Sequence, residues 1–203
     1  MNKLGVIFLT STGLSSKNVY EKFKEIVDSK GFKKAVIITT ASFGKENNEY
    51  SQLALSQLKS IGFNLVDFYD FENDGARNLS KYDVIYVCGG NTFKLMKFAT
   101  EMNFDKEIKS LLERGGIYIG VSAGSLIIGP SIKIVDEINP DKNEVGLTDF
   151  KGFNIVDIII FPHYSQDVEK NIKSLETKNN IHIERLNNSQ AILIKYGEKI
   201  LIE

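Results

Sequence analysis

Gly120-Val121-Ser122-Ala123-Gly124 sets a serine between two glycines, directly after the apolar run Ile117 to Val121. In a G-x-S-x-G segment a strand turns sharply into a helix, and the serine stands at the apex with its hydroxyl exposed. Side chains at Gly120 and Gly124 would collide where the strand and helix fold back on each other. The helix N-terminus behind the serine favours developing negative charge. Such a serine attacks acyl groups. It needs a base, an orienting acid and donors for the oxyanion.

The base is restricted by count, because His163 and His182 are the two histidines of the chain. His163 follows the apolar run Ile158 to Phe161 and a rigid proline, as expected of a loop at a strand's end. His182 lies between Ile181 and Ile183 in a period-2 segment, where an exposed strand position accounts for it. His163 is therefore the candidate base. Between serine and histidine lie Asp136, Glu137, Glu144, Asp149 and Asp157, any of which could be the acid. Oxyanion donors are expected from the Ala123 N–H and from Gly90. The latter lies in Cys88-Gly89-Gly90-Asn91-Thr92, where two glycines let backbone approach a ligand. That segment lacks G-x-G-x-x-G and G-K-[ST], so it does not read as a nucleotide loop. Cys88 reads as a buried strand-end residue.

Elements able to position these groups are visible along the chain. Leu4 to Leu9, Ala35 to Thr39, Leu65 to Tyr69, Val84 to Val87 and Ile117 to Val121 are short apolar runs, as in parallel strands buried on both faces. Asn18 to Ser29, Tyr50 to Ile61, Phe93 to Thr100 and Asp105 to Arg114 carry helical spacing, with Leu53, Leu55, Leu58 and Ile61 as one apolar face. Gly31, Gly62 and Gly115 follow predicted helices as left-handed caps. The alternation predicts a doubly wound, mostly parallel α/β sheet in one domain over residues 1–203, with its site beyond the strands' carboxyl ends. The loops there are Thr10 to Ser16, Thr40 to Asn47, Cys88 to Thr92 and the turn at Ser122. Ile155 to Phe161, Ala191 to Lys195 and Lys199 to Ile202 are strand-like, the last two joined as a C-terminal hairpin by Tyr196-Gly197-Glu198.

Composition excludes several function classes. With 42% hydrophobic residues, 25% charged residues and a net charge of −1, the chain is ordinary globular protein. It offers no electrostatic basis for a nucleic-acid or membrane partner. One cysteine allows no internal disulfide and suits a reducing compartment. Two histidines without a short-spaced Cys/His cluster predict no metal site. No apolar run is long enough to cross a bilayer. The expectation is a cytoplasmic protein, a monomer or small homo-oligomer, working without a cofactor.

The chain resembles the aspartyl dipeptidase (peptidase E) and cyanophycinase family of serine peptidases. The resemblance rests on Gly89-Gly90-Asn91-Thr92-Phe93, Tyr118-Ile119-Gly120-Val121-Ser122-Ala123-Gly124 and Pro162-His163-Tyr164. The separations are 32 residues from Gly90 to Ser122 and 41 from Ser122 to His163. It covers roughly Val6 to Tyr164 and implies a class I glutamine-amidotransferase-like, flavodoxin-like three-layer sandwich. It also implies Ser122 as nucleophile, His163 as base and the N–H groups of Gly90 and Ala123 as oxyanion hole. For the acid it implies Glu137, beyond Pro130, with Asp136 adjacent. A cysteine amidotransferase is disfavoured because position 122 is serine.

The function expected is a dipeptidase-like serine exopeptidase acting on short peptides through an acyl-enzyme on Ser122, with dipeptides bearing an N-terminal acidic residue among the candidate substrates. The alternatives are a relative that binds a small metabolite, or an esterase or amidase for small substrates. Aspartyl dipeptidases of the family hold the substrate's aspartate with an arginine downstream of the histidine. Ser165 to Asn180 contains none, so weak preference for an N-terminal aspartate is expected.

Overall fold

The computed structural model describes residues 5–138 and 141–203. Its elements run β1 (Val6–Thr10), α1 (Lys17–Lys30), β2 (Lys34–Ile38), α2 (Glu49–Ile61), β3 (Leu65–Tyr69), β4 (Val84–Val87), α3 (Thr92–Glu101), α4 (Phe104–Glu113) and β5 (Ile117–Val121). They continue through α5 (Ala123–Leu126), α6 (Ile134–Glu137), β6 (Ile159–Phe161), α7 (Glu169–Asn179), β7 (Ile183–Arg185), β8 (Ala191–Lys195) and β9 (Glu198–Ile202). The expected strand start at Leu4 lies outside the described residues.

Seven strands form one sheet in the order β3-β2-β4-β5-β1-β8-β9. β3, β2, β4, β5 and β1 are mutually parallel, while β8 and β9 add an antiparallel hairpin beside β1. Its two-residue loop, Tyr196-Gly197, has both φ angles positive (55° and 83°), as a turn matched to strand twist requires. Alternate strand residues divide the core. Val6, Phe8, Ile37, Tyr86 and Ile119 pack against α1 and α2, whereas Ile7, Leu9, Val36, Val87 and Tyr118 pack against α3, α4 and the C-terminal helices. Phe8, Phe23, Ile37 and Tyr118 have no exposed surface. Each such side chain contributes roughly 1.5–3 kcal/mol relative to exposure. This is the three-layer, mostly parallel arrangement expected, with Gly31, Gly62 and Gly115 ending their helices at positive φ.

Two expectations need correction. Ile155 to Phe161 is not one strand. Ile155 and Val156 are buried, and their N–H groups bond the Ile128 carbonyl, so only Ile159–Phe161 extends. That strand pairs in parallel with β7 in a separate two-stranded sheet. In α2 the buried face is Ser51, Ala54, Leu58 and Ile61; Leu53 points out to solvent.

The order of the sheet decides where a ligand binds. β4, β5 and β1 are neighbours, in register Val87↔Gly120 and Thr10↔Val121. The loops leaving their carboxyl ends therefore converge.

Candidate active site

Ser122 leaves β5 at φ 49° and ψ −109°, a conformation that side-chain-bearing residues adopt only when surrounding contacts enforce it. The enforcement is visible. The Ser122 N–H donates to the Thr10 carbonyl at 2.8 Å. The buried Ser125 hydroxyl donates to Gly120 O at 2.7 Å and accepts from the Thr10 N–H at 2.9 Å, and the Tyr118 hydroxyl donates to Gly124 O at 2.6 Å. A Cβ at Gly120 would stand 2.6 Å from the Gly124 backbone, and one at Gly124 would stand 2.5 Å from Val87 O. Both glycines meet the steric demand read from sequence. The helix that follows is only four residues, Ala123–Leu126, so its dipole is small and the turn acts through its N–H groups instead.

The β4–α3 turn runs beside the serine, where a Cβ at Gly89 would stand 3.1 Å from Ser122 Cβ. Gly90, at φ 132°, lies so close to Ala41 O that an added Cβ would be 2.0 Å from it. The Asn91 N–H is taken by Ala41 O, and Asn91 Oδ1 caps α3 by accepting from the Lys94 N–H. Neither the Gly90 N–H nor the Ala123 N–H has an acceptor among the described residues.

His163 comes from the other sheet. It follows β6 at φ 55°, and its N–H donates to the Ser11 hydroxyl at 3.0 Å, which itself donates to Leu186 O at 2.9 Å. This chain of bonds ties the histidine loop to the loop after β1. Its Nδ1 lies 2.8 Å from Asn188 Oδ1. An Nδ1 that donates to this amide oxygen leaves the lone pair on Nε2, facing away from Asn188. Thr12 fixes the Asn188 backbone by donating its hydroxyl to Asn188 O at 2.7 Å.

Ser122, His163 and Asn188 line one cleft of about 470 Å³ together with Gly90. All four loops expected at the strand ends contribute to its walls, through Ser11, Phe43, Gly89 and Ser122 among others. Glu137 is not brought to this site. Its helix α6 buries Ile134 and Val135 and turns Glu137 outward, where Lys133 (3.2 Å) and Lys178 (3.8 Å) pair with it. Asp136 is exposed on the same helix, Glu144 pairs with Lys142, Asp149 with Lys151, and Asp157 lies with His182 at another depression. Among the described residues no carboxylate pairs with His163. The group that holds its ring is an amide, which a search confined to acids passes over. The parallel register Phe161↔Arg185 sends His163 and the turn Asn187-Asn188-Ser189 out at the same edge, a pairing that only the structure shows.

His182 stands 75% exposed between Glu176 and Glu184, away from the cleft. Burial pushes the Cys88 thiol up to about 11, so it stays protonated and is no nucleophile at neutral pH. Among the described residues, no cluster of His, Cys, Asp and Glu could hold a metal ion and no helix is long and apolar enough to cross a membrane.

A profile of peptidase family S51 matches residues 7–202. The chain belongs to this family. An uncharacterized peptidase of Listeria monocytogenes is 33% identical over 201 residues, 96% of each chain. A peptidase E of Salmonella gallinarum is 30% identical over 138 residues, 66% of this chain and 56% of that protein. A solved Listeria monocytogenes structure, provisionally titled a peptidase E protein, superposes with a TM-score of 0.76 at 30% identity over 97% of both chains. A peptidase from an acI-B1 actinobacterium shares the fold, with a TM-score of 0.68 at 19% identity over 94% of this chain and 83% of that one. This S51 protein is thus a peptidase.

Proposed function

We propose that the protein is a dipeptidase-like serine exopeptidase that cleaves short peptides through an acyl-enzyme on Ser122. The observation that carries this reading is the shared cleft, in which a serine at strained φ and a histidine with its Nδ1 already engaged face the same space. Ser122 Oγ attacks the scissile carbonyl while His163 Nε2 takes its proton. The N–H groups of Gly90 and Ala123 donate to the oxyanion. The imidazolium then returns the proton to the leaving amine, and the C–N bond breaks. Water repeats the sequence on the ester, releasing the acid and regenerating the serine. Asn188, not Glu137, orients the ring by accepting from Nδ1. A cleft of about 470 Å³ suits a ligand of dipeptide size. Its one cysteine, a buried free thiol, suits a cytoplasmic setting, and the site needs no partner chain to supply these groups.

Labelling by a fluorophosphonate probe tests this directly. Wild type is expected to label, while Ser122→Ala does not label and His163→Ala labels at least a thousandfold more slowly. Equal labelling of wild type and Ser122→Ala would reject the assignment of the nucleophile.

A further inference from the structure

Most polar side chains lining the cleft are already satisfied. Ser42 Oγ donates to Gly89 O, Gln57 Nε2 to Leu14 O, and Asn48 caps α2 while donating to Phe43 O. Tyr86 is different. It is 4% exposed and lines the cleft, yet its hydroxyl has no hydrogen-bond partner among the described residues. A Cβ at Gly13 would stand 2.0 Å from the Tyr86 hydroxyl oxygen and 3.2 Å from Val121 Cγ2. That oxygen therefore sits beside the loop after β1, next to the residue that precedes Ser122. Burial raises its pKa, so it is a neutral O–H donor. Its hydroxyl is open to the cleft, so an acceptor bound there takes the place of water on this donor.

The charges around the cleft point the same way. Among the described residues no Lys, Arg, Asp or Glu lines it. Lys45, next to the lining loop, is held by Asp70 and Glu72, and Lys94 by Glu72. All three arginines are committed: Arg77 to Asp74 and Phe68 O, Arg114 to Tyr82 O, and Arg185 to Glu169 and Glu176. A carboxylate entering this cleft would lose water and gain no Lys or Arg partner among the described residues. The rim is apolar and open, with Phe43 94%, Tyr50 69% and Leu53 44% exposed.

We propose that the cleft selects peptides whose residue on the acyl side of the scissile bond has an uncharged side chain. The Tyr86 hydroxyl donates to a neutral acceptor on that side chain, such as the amide oxygen of asparagine. This rests on Ser122 as the acylating nucleophile. The experiment measures kcat/KM for Asn-Leu, Asp-Leu and Leu-Leu with wild type and Tyr86→Phe, with fluorophosphonate labelling of the same samples. Wild type is expected to favour Asn-Leu and Leu-Leu over Asp-Leu by more than tenfold. Tyr86→Phe is expected to lower the ratio of kcat/KM for Asn-Leu to that for Leu-Leu by about tenfold. Asp-Leu within tenfold of the neutral substrates overturns the proposal, and this comparison needs no variant. An equal effect of Tyr86→Phe on Asn-Leu and Leu-Leu overturns the role of the hydroxyl. Labelling separates the two levels: a labelled enzyme that prefers Asp-Leu sinks only the selectivity, whereas an unlabelled one removes the nucleophile and the proposal with it.

Discussion

Replacing Asn188 by leucine keeps the side chain's size and removes the acceptor on His163 Nδ1. In the resting enzyme that bond joins two neutral groups, and its net worth is roughly 0.5–1.5 kcal/mol. As Ser122 gives up its proton the ring becomes an imidazolium, and the same bond, now charge-assisted, is worth roughly 1.5–3 kcal/mol. Activity responds to the difference and to the loss of a fixed tautomer, together about 1–3 kcal/mol in the barrier. At 1.36 kcal/mol per factor of ten this is a fall in kcat of about 5- to 150-fold. Both Asn188 and His163 are exposed, so water can replace part of the lost bond, which favours the lower half of that range. The backbone anchor from Thr12 to Asn188 O is untouched by the substitution, so the loop stays in place. The assay is kcat and KM on one neutral dipeptide for wild type, Asn188→Leu, Asn188→Asp and Glu137→Gln. The loss should fall on kcat with KM little changed, Asn188→Asp should keep at least wild-type activity, and Glu137→Gln should stay within about twofold. A Glu137→Gln enzyme crippled beside a healthy Asn188→Leu would return the orienting role to the carboxylate and refute this reasoning.

Two further outcomes follow from packing and charge. Gly124→Ala forces a Cβ to 2.5 Å from Val87 O, so it should cost about 1–3 kcal/mol or more, seen as a Tm several degrees lower and loss of probe labelling. The Arg185 guanidinium beside Glu176 pushes its carboxyl down to about 2, so this pairing stabilises the fold fully above the ordinary carboxylate range and the contribution is lost as pH falls toward 2. Arg185→Leu should therefore lower stability by about 1.5–3 kcal/mol at neutral pH, and the gap from wild type in denaturant melts should close between about pH 5 and pH 2.

β1, β2, β4 and β5 were legible because they are apolar runs largely buried on both faces, while the edge strand β3 is only partly buried. The elbow was legible because its glycines are sterically required. What escaped has particular causes. Helix α7 buries only Ile172 and Leu175, too few apolar positions to impose a helical period. Ile155 and Val156 look like the start of a strand because they are apolar, but they pack on the turn after α5. Leu53 repeats with α2's buried face in sequence, yet it falls on the cleft side. Asn188 was hidden by its chemistry: an amide oxygen accepts a proton-bearing nitrogen as a carboxylate does, without a charge to draw attention. Glu137 fitted by position, but the face α6 turns inward is its isoleucine and valine.

The nucleophile and its base belong to different sheets, and the two are not equally secure. Ser122 grows from the middle of seven strands, while His163 hangs from a pair only three residues long, clasped by Arg185, the Ser11 hydroxyl and Asn188. Local opening of the small pair separates the reacting groups while the large sheet stays folded. Heat or denaturant will then extinguish turnover before any signal from the core moves. The working range of the enzyme is bounded by the grip of a minor structural unit on a major one, and amide exchange in β6 and β7 measures that grip.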